Sequence, residues 1–337
     1  MDNNKKEYRM NLSIAINEAY APYAYVMLNS LFGKNPEAEV FVYLLQYDLS
    51  DVSRERIEAF AEGQGNHVIF LTIDIKRLSE RLPRTVTWPV EVYFRLFLPD
   101  LLPEEVDRIL YLDSDIIVNR SLRDFYESDF TGKLLLGCRD LALINLTTEQ
   151  CLGKRTERFR PLFEERRYIN SGVILFHMAE LRKKYSFQDY MNLAEELEYR
   201  IFSPDQDLIN LLHREEIALV DEWRYNFLAW IGANNGYDYD RTSREVAIIH
   251  YAGQGPWRGG NHVHYSLERF WWDRAIETPY AGELLKQFVL DEVSDQTIIS
   301  YIATLEQQMA ALTGENEQLK KALNQAMGII EKYEGKS

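Results

Sequence analysis

Apolar, β-branched runs alternate along the chain with segments of helical period. Asn11–Ile16 predicts a strand, Ala21–Phe32 a helix ending near Gly33, and Val40–Leu45 a second strand. Ser53–Ala61 is amphipathic and helical, stopped by Gly63 and Gly65, and His67–Ile73 is a third strand. Val90–Leu98 reads as a helix closed by Pro99, and Val106–Leu112 as a strand. Further strands are expected at Lys133–Gly137, Gly172–His177 and Val246–His250, with helices at Phe187–Arg200 and Asp205–Arg214. This alternation predicts an α/β fold, a parallel sheet with helices on both faces.

The last forty residues change character. With Ile302, Met309, Asn316, Leu323 and Ile330 at a, the d positions are Ile298, Leu305, Leu312, Leu319 and Ala326. Only Asn316 is polar on that seam, and Gly314 and Gly328 fall on the outer face at f. The pattern predicts an oligomerisation helix over 297–334, favouring a homodimer, behind a linker at 283–296. The alternative is an amphipathic helix folded back on its own domain.

Composition narrows the class. The chain has 337 residues, 46% hydrophobic and 13% aromatic, enough to bury a sizeable core. Its net charge of -15 argues against a nucleic-acid partner. An anionic nucleotide would need local compensation, such as a cation. Two cysteines, Cys138 and Cys151, make neither a CxxC pair nor a disulfide framework, which fits a reducing compartment. The polar N-terminus has no apolar h-region and no apolar run approaches a membrane span. The expected location is the cytoplasm, with peripheral attachment at the inner face of the membrane as the variant.

The candidate chemistry lies at strand ends. Asp113-Ser114-Asp115 follows the apolar run Arg108–Leu112 and precedes Ile116-Ile117-Val118. An extended D-x-D presents both carboxylates on one side, and such a pair suits Mg²⁺ or Mn²⁺. A solvated acidic turn has the same letters. His250 closes Val246–Ile249 and opens a loop containing Gly253 and Gly255. An added imidazole favours Mn²⁺ over Mg²⁺, although an isolated histidine after a strand is usually structural. Asp205 and Asp207 follow Pro204 at a helix start, where carboxylates are ordinary caps. Asn170-Ser171-Gly172 is ambiguous alone.

In order, these pieces resemble glycosyltransferase family 8, retaining enzymes with a GT-A fold, over Asn11 to Tyr280, which implies a mixed, mainly parallel sheet flanked by helices. The resemblance rests on Ala15–Tyr20, Tyr93 and Arg95, Tyr111–Val118, YINSGVIL at Tyr168–Leu175, DQDLIN at Asp205–Asn210, Arg224-Tyr225-Asn226 and His250–Trp257. It implies a catalytic domain over 1–282. Asp113, Asp115 and His250 would hold Mn²⁺, or Mg²⁺, against a diphosphate. Ala15 and Asn17 would line the uracil and ribose pocket, with Tyr20 supporting it. Ser114, Gly253 and Gly255 would belong to the nucleotide-sugar site. Arg95, Asp140, Asn170, Asp205 and Gln206 would surround the donor sugar, with Gln206, Asp205 and Asp140 as catalytic candidates. Two departures stand out. Asn17 occupies a usually acidic position, and Gly255-Pro256-Trp257 replaces Lys-Pro-Trp, leaving the metal more charge to offset.

The implied activity moves glucose or galactose from a UDP-sugar to a saccharide, glycolipid or glycoprotein acceptor in cell-surface or lipopolysaccharide glycan synthesis. Gln206 holds the family's nucleophile position, and a neutral amide is a poor nucleophile. Same-face attack by the acceptor is therefore expected. The other reading is a noncatalytic nucleotide-sugar binder or scaffold working through the tail. The segment Gly153–Arg167 carries six basic residues and three glutamates. It is either a solvated loop or a lid that meets a phosphorylated or membrane-bound acceptor.

Overall fold

A computed structural model describes residues 6–84, 89–253, 255–259, 264–292, 307–321 and 323. The chain divides into two compact units. One comprises Met1–Pro256 and His264–Gly282, and the other Trp257–Val263 with Glu283–Ser337.

In the first unit, β1 (Tyr8–Ala15) is almost continuously buried, as expected of a central strand covered on both faces. It pairs in parallel with β2 (Ala38–Gln46), which pairs in parallel with β3 (His67–Thr72). The intervening helices are α1 (Ala21–Lys34) and α2 (Asp51–Glu62). Pro22 in the first turn starts α1 at no hydrogen-bond cost, and the Ser50 side chain caps α2 by accepting from Ser53 N.

On its other edge β1 pairs in parallel with β4 (Arg108–Leu112). The remaining strands of this seven-stranded sheet are β6 (Leu135–Arg139), β7 (Ile169–His177) and β8 (Ile217–Val220), in the order β3-β2-β1-β4-β7-β6-β8. β7 runs antiparallel to β4 and β6, so the sheet is mixed. The chain leaves β1 toward β2 and later returns to its opposite edge as β4. The crevice between the carboxyl ends of β1 and β4 is therefore a topological switch point.

A second sheet holds β5 (Ile116–Val118), β9 (Phe227–Leu228) and β10 (Ile248–His250), with β10 in the middle. β5 follows β4 after only three residues. The D-x-D is consequently a turn between two sheets, not the extended segment expected from sequence. Val90–Phe97 forms a 3-10 helix, and Pro99 sits in the first turn of the helix Leu98–Leu101 instead of ending one. Ser30 links layers, donating its hydroxyl to Met27 O and accepting from Val118 N.

In the second unit, residues 307–321 are helical and exposed. The expected core positions Ile298, Ile302, Leu305, Ala326 and Ile330 lie outside the described residues.

Candidate active site

His250 reaches the carboxylates through strand pairing. β10 runs antiparallel to β5 with His250 opposite Ile116, and Tyr251 N donates to Asp115 O at 2.9 Å. Just past the end of β4, Asp113 N donates to Gly172 O of β7 at 2.9 Å. The result brings one ligand atom each from Asp113, Asp115 and His250 within 4.8 Å of one another.

Several features suit this set to a divalent cation. His250 Nδ1 lies 2.8 Å from Asn226 Oδ1, and Asn226 Nδ2 donates to Asn170 Oδ1 at 2.9 Å. With its amide so oriented, Asn226 accepts from Nδ1–H and directs Nε2 at the carboxylates, 3.1 Å from Asp115 and 3.9 Å from Asp113. Burial by itself would lower the His250 pKa. Asp115 and Asp113 outweigh it and hold the imidazole above its ordinary value. Burial likewise pushes Asp115 up, yet His250 wins and the carboxyl stays below its usual range. Each group favours its neighbour's charged form, as a site built for opposite charges should.

Gly172 is required here. A Cβ on it would fall 2.5 Å from His250 Cε1 and 2.6 Å from Asp113 Oδ2.

Behind the triad lies a buried arginine. Arg95 donates from Nη2 to Asp113 Oδ1 at 2.9 Å and from Nη1 to Ser171 O, while its Nε lies 3.0 Å from Asp205 Oδ2. The Nε hydrogen is directed to Val92 O, so Asp205 Oδ2 is an ion-pair neighbour without a hydrogen bond of its own. The guanidinium lies 4.1 Å over the Tyr111 ring, whose hydroxyl also donates to Asp113. Burial works against the Arg95 charge, but Asp113 and Asp205 more than offset it. Asp205 is raised, chiefly by burial and against the pull of Arg95.

Gln206 accepts from Ser171 N at 3.0 Å and donates to Asp140 Oδ2 at 3.0 Å. The side chains of Asp113, Asp115, His250, Arg95, Asp140, Asn170, Asp205 and Gln206 thus join one connected cluster at the switch point.

Residues 11–260 match the Glycosyl transferase family 8 profile. The chain belongs to glycosyltransferase family 8. Among curated family relatives, it is 24% identical to a lipopolysaccharide 1,2-glucosyltransferase of Escherichia coli, covering 73% of each protein. It is also 24% identical to a lipopolysaccharide 1,3-galactosyltransferase of Salmonella typhimurium, covering 74% of this chain and 73% of that one. The fold is similar to that of the galactosyltransferase LgtC, solved with donor and acceptor sugar analogs. The TM-score is 0.67 at 22% identity, over 81% of this chain and all of LgtC.

The positions expected to meet the nucleotide lie near the same strand ends. Ser13 pairs with Tyr111, so Ala15 and Asp113, each two residues on, lie at neighbouring strand ends. Asn17 caps the 3-10 turn Glu18–Tyr20, its Oδ1 accepting from Tyr20 N at 3.2 Å. Ser114 is buried in the D-x-D turn. Gly253 and Gly255 are in the loop leaving β10, with Gly253 at φ +74°, where side chains are disfavoured.

Two residues escaped the family motifs as functional. Asn226 was legible as part of Arg224-Tyr225-Asn226 but carried no role, and Gly172 read only as the start of a strand.

Asp207 is structural. It is fully buried, and its oxygens accept from Arg155 Nε, Tyr168 OH, Phe202 N and Ser203 N. The basic segment is not a free loop either. Arg155 is spent on Asp207, Arg158 pairs with Glu196, and Arg160 with Glu149 and Glu157.

Proposed function

We propose that the chain is a metal-dependent, retaining hexosyltransferase. It moves glucose or galactose from a UDP-sugar to a saccharide, glycolipid or glycoprotein acceptor in cell-surface glycan synthesis. The carrying observation is the convergence of Asp113, Asp115 and His250, with Asn226 fixing the imidazole. The named activities of the lipopolysaccharide glucosyl- and galactosyltransferase relatives support the choice of hexose and acceptor class.

Asp113, Asp115 and His250 would hold the cation, with Mn²⁺ preferred because one ligand is an imidazole. Such an ion supplies positive charge to the diphosphate leaving group. Arg95 keeps Asp113 and Asp205 in place from beneath. Asp205, Asp140 and Gln206 position the hexose. Gln206 is a neutral amide held at both ends, and Asp207 has no oxygen to spare, so neither supplies a nucleophile. The acceptor oxygen then bonds to the anomeric carbon on the face the phosphate leaves. The anomeric C–O electron pair goes to the departing phosphate oxygen, which takes the acceptor proton.

The decisive experiment measures UDP release from UDP-glucose and UDP-galactose with Mn²⁺, with EDTA, and with Asp113→Ala or Asp115→Ala. Metal-dependent release lost in both variants is expected. No release from any donor would favour a noncatalytic scaffold.

We further propose that the C-terminal helix pairs with a second copy. Met309, Leu312, Leu319 and Leu323 are 61–67% exposed and fall on the heptad seam with Asn316. Sedimentation should show a dimer that Leu312→Asp with Leu319→Asp converts to a monomer. An unchanged mass would refute it.

A further inference from the structure

Residues between Arg139 and Tyr168 line a half-open cavity of about 300 Å³. Its floor is Cys151, Leu162 and Phe163, all buried. Leu143 and Leu146 form its outer wall, and Leu146 is 42% exposed. Asp140 and Tyr168 close the side that faces the helix Pro204–Leu212.

Two hydrogen bonds hold the cavity to that helix. Gln206 Nε2 donates to Asp140 Oδ2 at 3.0 Å, and Tyr168 OH donates to Asp207 Oδ1. Arg155, in the loop between the helices Thr148–Leu152 and Arg160–Glu164, adds a 2.8 Å link to Asp207. The cavity is therefore anchored to the element that carries Asp205 and Gln206, and it shares Asp140 with the cluster around them.

Most of its polar groups are already engaged; Thr148 and the exposed Arg166 are the exceptions in the lining. Asp140 also accepts from Ala142 N, and Thr147 is tied up in a capping box with Gln150. Arg139 pairs with Glu222, and Glu164 lies 3.9 Å from Arg160. What the buried part of the cavity offers a ligand is its apolar floor, the usual anchoring part of a small-molecule site.

We propose that this cavity is an aglycone subsite, taking an uncharged alkyl or aryl group carried by the acceptor sugar. The inference rests on the glycosyltransferase reading and specifies its acceptor. The volume equals that of roughly ten waters, room for a phenyl ring or a chain of about six to eight carbons, but not for a whole membrane lipid. Each buried methylene of such a group strengthens binding roughly fourfold. A shared edge at Asp140 lets the sugar reach the donor while its apolar end is seated in the cavity.

The test uses the full chain with Mn²⁺ and methyl, hexyl and phenyl glycosides of glucose and galactose. KM for the hexyl and phenyl acceptors should lie at least tenfold below that for the methyl one. Leu146→Trp fills the mouth from an exposed position. It should erase that preference while leaving acceptor-free UDP release and the methyl-glycoside KM unchanged. Leu146→Ala should keep the preference. Equal KM values across the series, or a Leu146→Trp loss shared by methyl and hexyl acceptors, would overturn the subsite.

Saturation-transfer NMR with hexyl β-glucoside and UDP reads the cavity without turnover. Alkyl-chain signals present in the wild type and lost in Leu146→Trp support it, and their absence in the wild type refutes it. Failure of UDP release from every donor is a separate result, against the transferase reading.

Discussion

Asn226 Oδ1 lies 2.8 Å from His250 Nδ1, and this one contact decides which imidazole nitrogen faces Asp113 and Asp115. A histidine whose far nitrogen is held by an acceptor presents a fixed lone pair to a cation. Asn226→Ala should thus weaken Mn²⁺ binding by about 10–100-fold while the circular dichroism spectrum is unchanged. Calorimetric titration with MnCl₂ measures it. Wild-type affinity in the variant would show that the contact is structural only.

Gly172 carries the second prediction. Its missing Cβ leaves the space that His250 Cε1 and Asp113 Oδ2 occupy, so Gly172→Ala must displace one of them. Displacement of a site group by about 1 Å costs on the order of 10²-fold in rate, and overpacking costs about 1–3 kcal/mol of stability. UDP release and urea unfolding together check both. An active Gly172→Ala enzyme would mean that β7 yields more readily than its pairing suggests.

Arg155 and Asp207 form a pair whose side chains are 6% and 0% exposed. Removing one partner strands a charge, at a cost of about 3–5 kcal/mol. Arg155→Leu should lower the urea midpoint accordingly. Arg158→Ala breaks a pair with side chains 50% and 63% exposed and should cost less than about 1 kcal/mol. Similar midpoints for the two variants would contradict the burial argument.

Acid should unfold the protein through His213 and Glu216. His213 is fully buried with Nε2 2.9 Å from Tyr190 OH, and burial holds its pKa below 6.5 despite Glu216. The unfolded chain therefore takes up this proton first, and stability falls as pH drops below 6.5. Hydrogen bonds from His213 and Lys184 hold Glu216 down at about 2 against 4.5 ordinarily. Its contribution is complete above pH 4.5 and is lost on the way to about 2. Urea unfolding between pH 8 and pH 3 should show both limbs. Glu216→Gln should flatten the lower one, and an unaltered profile would discount the carboxylate.

The order of elements was legible because hydrophobic period reports which face of a local segment is buried. That is why β1 to β3, α1 and α2 lie within a few residues of their expected bounds. The 3-10 form of Val90–Phe97 was not; there Arg95 is seated between Asp113 and Asp205, contacts with distant segments that a local pattern does not carry.

Asp113-Ser114-Asp115 and His250 could be picked out by position alone, at the ends of apolar runs. Sequence also carried the family, through motifs in a fixed order. That His250 meets Asp115 across 135 residues is a fact of register, set when β10 pairs antiparallel with β5. A second pairing, β9 parallel to the other edge of β10, brings Asn226 to the far side of the ring. Asp205 and Asp207 look alike in DQDLIN, yet helix phase turns one toward Arg95 and the other toward Arg155 and Tyr168. A carboxylate's role follows from the donors around it, and those come from distant segments that only the packed structure brings together.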